Sequence, residues 1–464
     1  MNKKSSPPPA RAKKWRWVYG PLVIASLSAL GFFHAKSEAI VLGAEAYIFG
    51  YPLVIMDVTR ANSALSIGPE NELRRVRSFP DASFKDVVRP NVDTLYTNAF
   101  LDMAQGPWVF EMAANTQRFE VMPFMDAWTN VFSAPGTRST GTAGGKYLLA
   151  GPQWAGMTPP GLTLLRSPTQ MVWLIGRTQT NAAADYPLVH LLQDGLQLRH
   201  LTDWQAGIQG ALKPWQAPQT QPIPPRDQMD RMATADFFAR LASLMVNNPP
   251  SAADGPMMAK LMRLGLAPGK ATHWTVADRW ALSLGRWIAH RKVDQELSKP
   301  KNLVRGWSTP PSVLGNYGTS YNIRAVVAMV GLGANLPEDA IYPSTKIDIQ
   351  GQPLNGRHQY RLHFAANALP PVHAFWSVTA YGADDYLIEN PSHRYALGDR
   401  DDLTYNPDGS LDLWIQSKSP PGASASNWLP VKEGEPFLLN ARLYHPKAVA
   451  LTTAWGMPGV ERID

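Results

Sequence analysis

From Phe79 to Arg177 the chain is cut by Gly and Pro into short apolar runs, and a segment punctuated in this way cannot build long helices. The runs predict strands at Phe84–Val88, Thr94–Asp102, Trp108–Glu111, Phe119–Met125, Asn130–Ala134, Lys146–Ala150 and Met171–Arg177, spaced as in a sandwich or barrel. Between them lie residues that turns require, such as Pro135-Gly136, Gly144-Gly145 and Pro159-Pro160-Gly161. From about Asp185 to Ala334 the apolar period becomes that of helices. Phe237, Phe238, Leu241, Leu244 and Met245 make one face, ended by Asn247-Asn248-Pro249-Pro250. Met257, Met258, Leu261 and Met262 make a second, and Val276, Trp280, Leu284, Trp287 and Ile288 a third. A further helix is expected over Tyr321–Gly331. Beyond Tyr342 the strand pattern returns at Lys346–Gln350, Gln359–Phe364, Ala374–Tyr381, Leu411–Gln416, Pro436–Arg442 and Ala448–Trp455, with Asn406-Pro407-Asp408-Gly409 as a turn. The expected class is α+β, mainly β: two β-sandwich or jelly-roll-like domains with an intervening helical region. The divisions fall at residues 39–184, with a leading helix, 185–335 and 336–464.

Ahead of these blocks stand Lys3, Lys4, Arg11, Lys13, Lys14 and Arg16 with no acid among them, and then Trp17 to Phe33 without a charge. Residues 1–38 read as a signal peptide or a signal anchor: long for the core of a cleaved signal, short for a membrane span. Weak small-residue cleavage patterns lie at Ala35-Lys36-Ser37 and Ser37-Glu38-Ala39. In either case the remainder is expected outside the cytoplasm, in the periplasm, secreted, or held at the inner membrane if the segment is uncleaved. Between Ala39 and Ser66, Ala44, Tyr47, Ile48 and Tyr51 fall on one helical face, and Pro52 is expected to kink or end that helix; Asp57 and Arg60 read as a surface pair.

Net charge is +7. The basic residues up to Lys36 account for all of it, because the first acid is Glu38. The basic pI therefore describes the targeting segment, and nucleic acid has no support as a partner. The absence of Cys excludes disulfides, cysteine nucleophiles and iron–sulfur clusters, so an exported chain of this length must be held by its core alone.

Nucleophile-elbow, phosphate-loop and dinucleotide signatures are missing, and Gly136-Thr137-Arg138-Ser139-Thr140-Gly141 has the wrong spacing for the first. None of the histidines is spaced as a metal motif; His373 with His363 and Asp384 or Asp385 is the combination to watch, and no metal ligand is assigned. No cofactor is indicated. The densest polar group is Arg89-Pro90-Asn91-Val92-Asp93-Thr94-Leu95-Tyr96. One reading is turn chemistry, with Asn91 and Asp93 bonding the local backbone after Pro90. The other is a site for a hydroxylated small molecule or glycan. There Asp93 would serve as acid/base, and Asn91, Thr94, Tyr96, Asp126, Trp128 and Arg138 would supply polar groups and a ring face.

Glu45-Ala46-Tyr47-Ile48-Phe49-Gly50-Tyr51-Pro52, Arg89 to Tyr96, and Leu174-Ile175-Gly176-Arg177 resemble the bacterial domain of unknown function 1254. Trp376-Ser377-Val378-Thr379-Ala380-Tyr381, Asn427-Trp428-Leu429-Pro430 and Arg442-Leu443-Tyr444-His445-Pro446 resemble domain of unknown function 1214. The resemblance implies two mainly β domains, the second jelly-roll-like, and no particular activity. Gly382 departs from it, since an Asp or Asn is expected after Tyr381. Two function classes remain open. One is an exported hydrolase or lyase acting on a carbohydrate-like or ester substrate; the other is a non-catalytic envelope protein that binds a glycan or small ligand.

Overall fold

The computed structural model describes residues 13–66, 68–85, 88–115, 117–210, 223–270, 273–298, 303–309, 311–452 and 454–464. A single helix runs from Lys13 to Ser66, 54 residues long, straight through Pro52. Proline removes one helical hydrogen bond and costs about 3 kcal/mol in a helix interior. Here tertiary burial outweighs that cost: Tyr47, Phe49, Tyr51, Leu53, Val54 and Met56 are all at most 1% exposed. Helices Thr234–Asn247, Gly255–Arg263, Val276–Ser298 and Tyr321–Val330 pack against this one, so the helical layer draws on both the leading helix and the middle of the chain. Asp57 is buried in that layer and takes Arg60 Nη2 at 2.7 Å and Arg240 Nε at 2.7 Å, which makes it an internal ion cluster rather than a surface pair.

The N-terminal β domain has a six-stranded and a four-stranded sheet. Strand Met171–Gln179 lies centrally in the larger sheet, antiparallel to Thr94–Asp102 along its whole length. Period-two alternation sends Val172 and Leu174 into the core between the sheets, with Leu101, Phe110 and Phe124. Trp173 and Ile175 point the other way, into the core shared with the helical layer. This sheet is covered on both faces, which is why Met171–Arg177 reads as a continuous apolar run. Strands Thr163–Arg166 and Gln197–His200, the latter beyond the expected boundary at 184, complete the smaller sheet. Phe84 and Lys85 are not in a strand, and part of that expected element lies outside the described residues.

The C-terminal domain also has two sheets, of five and four strands, enclosing one core of Leu362, Phe364, Trp376, Val378, Leu413, Ile415, Leu439 and Leu443. Long strands Val372–Gly382 and Phe437–Pro446 form the middle of the larger sheet. The turn at Asn406–Gly409 forms as expected, with Gly409 at φ +80° and Asn406 N donating to Ser410 O at 2.8 Å. Ala448–Leu451 is a 3-10 turn instead of a strand, the closing strand being Val460–Arg462. Within the expected Lys346–Gln350 strand, Asp348 accepts from Gln350 N and Gln352 N and makes a turn.

Candidate functional site

The register of the two long C-terminal strands explains their motifs. Phe375 lies opposite Tyr444 and Ser377 opposite Arg442, so Phe375, Ser377, Thr379, Tyr381, Arg442 and Tyr444 share one face. Trp376, Val378, Ala380 and Leu443 face the domain's own core. The polar face meets the loop before Thr94 in the N-terminal domain, so the sequence motifs of both domains join in one buried seam.

Asp93 is the centre of that seam and is 0% exposed. Its Oδ2 accepts from Ser377 Oγ at 2.7 Å and from Tyr444 OH at 3.4 Å. Arg400 bonds Asp93 Oδ1 and also donates to Asp93 O at 3.2 Å and Thr180 O at 2.8 Å. The same guanidinium lies 4.1 Å from the ring centre of Phe375, which itself stacks on Tyr444 at 4.2 Å. Asn91 does local and long-range work together. Its Oδ1 accepts from Asp93 N at 2.6 Å, while its Nδ2 donates to Tyr444 OH at 2.9 Å and Tyr96 OH at 3.3 Å. Asn91 thus performs the turn chemistry expected of it and in addition joins a polar network across the seam. Burial pushes the Tyr444 phenol well above its ordinary pKa, and the neighbouring Asp93 adds to the shift.

Around this centre further arginines cross the seam. Arg442 donates to Thr379 Oγ1 at 2.7 Å, to Tyr381 OH at 2.5 Å and to Arg89 O at 3.1 Å. Tyr381 OH in turn donates to Pro90 O at 2.6 Å. Arg177, 5.1 Å from the Tyr96 ring centre, donates to Asn335 Oδ1 and Gly333 O, both at 2.6 Å. Arg138 forms a bidentate pair with Asp339 at 2.6 and 2.9 Å, fixing the N-terminal domain to the segment that enters the C-terminal one. Arg89 and Asp385 both hold left-handed backbone, at φ +50° and +64°, and are bonded through backbone (2.7 Å) and side chains (2.8 Å). Such strain persists only where surrounding contacts fix it.

Asp126 and Trp128 belong to a different cluster. Asp126 Oδ1 accepts from Trp128 N and Asn130 N at 2.9 Å each, an aspartate-closed turn, and burial pushes its carboxyl up to about 6. Trp128 donates to Asn248 O at 3.1 Å and its ring lies 4.8 Å from Phe49. Arg324, 2% exposed, sits among the rings of Phe49, Trp128 and Tyr321 at 5.5, 5.3 and 5.3 Å. Thr94, though buried, leaves its Oγ1 without a hydrogen-bond partner. Of the expected site residues, Asn91, Asp93 and Tyr96 thus share one network; Asp126 and Trp128 form another, and Arg138 pairs with Asp339.

Sequence reasoning missed Arg400, Asn335, Tyr342, Glu120 and Arg324. The charged run Gly398-Asp399-Arg400-Asp401-Asp402 was the available signal for the first. Glu120 is 6% exposed on a short strand, and burial raises its carboxyl to about 7. Nothing in its surroundings in sequence marks it. His373 does not join Asp384 or Asp385, which pair with Lys85 and Arg89; its ring lies 4.6 Å from that of His445. Among the described residues no group of three or more His, Asp or Glu is placed to hold a metal ion.

Comparison with known proteins agrees with this two-domain arrangement. A crystal structure of the VPA0106 protein from Vibrio parahaemolyticus superposes with a TM-score of 0.70 at 24% identity, covering 92% of this chain and 100% of that one, so the fold is shared. An uncharacterized protein from Burkholderia cenocepacia covers 95% and 98% at a TM-score of 0.44 and 11% identity. No curated protein sequence matches. Residues 70–200 match the family described as protein of unknown function DUF1254, and residues 339–448 match protein of unknown function DUF1214. The chain belongs to the family of proteins that carry these two domains in this order, and the residues of both meet at the Asp93 seam.

Proposed function

We propose that this is an envelope protein tethered to the inner membrane by an uncleaved N-terminal helix, with a body outside the cytoplasm that binds a ligand and does not transform it. The tether reading rests on helix continuity. The weak cleavage patterns lie inside the unbroken Lys13–Ser66 helix, and their charged residues are bonded to the folded body: Lys36 to Asp278 at 2.7 Å and Glu38 to Arg263. The stretch Gly31–Ala64 is long and apolar enough to cross a bilayer, but 83% of its apolar window is buried inside the protein, so it is a core helix. That leaves Trp17–Phe33 as the span, its basic flank on the cytoplasmic side.

The binding reading is carried by one observation: the carboxylate of Asp93 is wholly enclosed and already accepts from Ser377, Arg400 and Tyr444. A general acid or base must reach the proton it moves. Asp93 would do so only if the two domains parted. Tyr96 and Tyr342, whose OH accepts from Asn335 Nδ2 at 2.7 Å, are half-buried phenols of the same network, and a hydroxylated small molecule or glycan would meet the seam at them. The hydrolase or lyase reading, with Asp93 as acid/base, requires that opening.

Fractionation of cells expressing the chain tests the tether. The expected result is a membrane-bound species of the full 51.1 kDa, extracted by detergent and not by salt or alkali, with its body cleaved by protease added from the outer side. A soluble species beginning near Ala39 would overturn it.

A further inference from the structure

The helix Val276–Ser298 lies parallel to the long N-terminal helix and at a fixed height on it. Lys36 bonds Asp278, Gly43 touches Leu282, and Tyr47 OH lies 2.9 Å from His290 Nε2. A Cβ at Gly285 would stand 2.6 Å from Ile40 O and 2.8 Å from Ala44 N, so the absence of a side chain lets the two backbones touch. With about 1.5 Å of rise per residue, Val276 stands about level with His34, and Trp280 about level with Glu38. The helix thus begins where the apolar Trp17–Phe33 stretch ends.

Its outward face is apolar at that end. Val276 is 72% exposed and Trp280 69%, beside Phe33 at 51% on the long helix. Val276 and Trp280 stand one turn apart at the end of the helix nearest the apolar Trp17–Phe33 stretch, and together they form an apolar surface open to a partner. Nearby charge is basic. The acids Glu38 and Asp278 are matched by Arg263 and Lys36, while Lys270 and Arg279 add to the cationic side.

We infer that this face, Val276, Trp280 and Arg279 with Phe33, lies on the bilayer surface and inserts its apolar groups among anionic lipid headgroups. The inference rests on the tether reading. Seventeen residues of helix span about 25 Å against a hydrocarbon core of about 30 Å, so the span is about 5 Å short. A short span is accommodated by local thinning or by drawing its flanks into the interface. Phe33 and Val276 are the flanks available, and Trp280 stands within the headgroup layer of roughly 5–7 Å, where Trp is enriched. Trp287, a further seven residues along, stands about 10 Å higher and remains in water. The long helix and the Val276–Ser298 helix then hold the body upright as a pair, in place of a single flexible stalk.

The absence of Cys makes the test direct. Full-length Val276→Cys, Ala25→Cys and Met157→Cys variants, each carrying a nitroxide, are reconstituted into phosphatidylcholine bilayers containing phosphatidylglycerol. Collision with oxygen and with a water-soluble nickel chelate is then measured by electron paramagnetic resonance. Position 157, on a side chain 92% exposed in the N-terminal domain, reports water. The expected result is a lipid-type collision ratio at 25, an interfacial one at 276, and a further rise at 276 with anionic lipid that Arg279→Glu removes. A ratio at 276 equal to that at 157, with 25 in lipid, overturns this inference and leaves the tether standing. Water at 25 overturns both.

Discussion

The Asp93 seam and the Arg324 cluster both set an arginine against aromatic rings, but they satisfy it differently. At the seam, Arg400 has Phe375 beneath it and three acceptors ahead of its two terminal nitrogens, the carboxylate and carbonyl of Asp93 and the carbonyl of Thr180, with only its Nε unpartnered. Arg324 has three rings around it, yet its Nε and Nη2 have no hydrogen-bond partner, and the nearby carboxylates Asp126 and Asp254 act through space. The seam joins segments more than 280 positions apart, and directional bonds there fix how two domains meet. The Arg324 cluster lies beneath the long helix, where packing already sets the geometry and ring faces suffice. The difference shows that the family's polar signature is concentrated where orientation has to be specified.

The sharpest way to break that comparison is to remove Arg400. Arg400→Met keeps volume over Phe375 but leaves Asp93 buried without its cation. An unpaired buried charge costs about 3–5 kcal/mol, so the urea midpoint should fall by that equivalent. Adding Asp93→Asn should recover part of the loss, because the stranded charge is gone, although Ser377 and Tyr444 must adapt. Asp93→Asn alone should also destabilise, by about 1–3 kcal/mol, since Arg400 then lacks its charged acceptor. If Asp93→Asn leaves the midpoint unchanged, the seam is not what joins the domains, and Asp93 returns as a candidate acid/base.

Much of the fold was legible in periodicity. The change from strand to helix and back follows the order of elements along the chain, and Thr94–Asp102, Leu411–Gln416 and the Asn406–Gly409 turn form where expected. Local signals failed where distant packing overrode them. Pro52 does not break a helix that is buried all round, and Asp57 is internal because Arg240 reaches it from another helix. The site was half legible. Asn91, Asp93 and Tyr96 stand within six residues, and strand alternation gathers Ser377, Thr379, Tyr381, Arg442 and Tyr444 on one face. Nothing local tells that these two groups bond each other, or that Arg400 arrives between them. Nearness in sequence groups Asp126 and Trp128 with Asp93, but the fold buries them in a separate cluster beneath the long helix.

A smaller effect is read by pH. Burial raises Asp126 to about 6 and Glu120 to about 7, above their ordinary values of 3.8 and 4.5. A carboxyl with a raised folded pKa binds its proton more tightly in the folded chain, so stability falls as pH rises through the window and is regained as pH drops. Between pH 7.5 and 5 each group should add on the order of 2 kcal/mol. Carboxyls with lowered values, such as Asp185 and Asp278, are ionised in both states over this range and contribute no slope. His290 and His445, lowered by burial, oppose the trend below about pH 6.5 with smaller shifts. Denaturation of the detergent-solubilised chain should therefore show higher stability at pH 5.5 than at pH 7.5. A flat profile or one rising with pH would exclude these carboxyls as buried proton sites.

The smallest expected change isolates the Arg324 cluster. Asp126→Asn retains the oxygen that accepts from Trp128 N and Asn130 N and removes the charge together with the weaker acceptor of Asn130 Nδ2 at 3.1 Å. At pH 8 the wild-type carboxylate carries its desolvation cost, while Arg324 offsets part of it from a distance, so the substitution should stay within about 1 kcal/mol of neutral. Wild type then gains stability on acidification as Asp126 takes up its proton, whereas the variant has no such group. The difference between the two should widen in favour of wild type as pH falls from 8 to 5. A loss of several kcal/mol at pH 8 would mean that Arg324 depends on the Asp126 charge as Arg400 does on Asp93. The two regions would then be held by the same device, and the contrast between directional bonds at the seam and ring faces beneath the helix would fail.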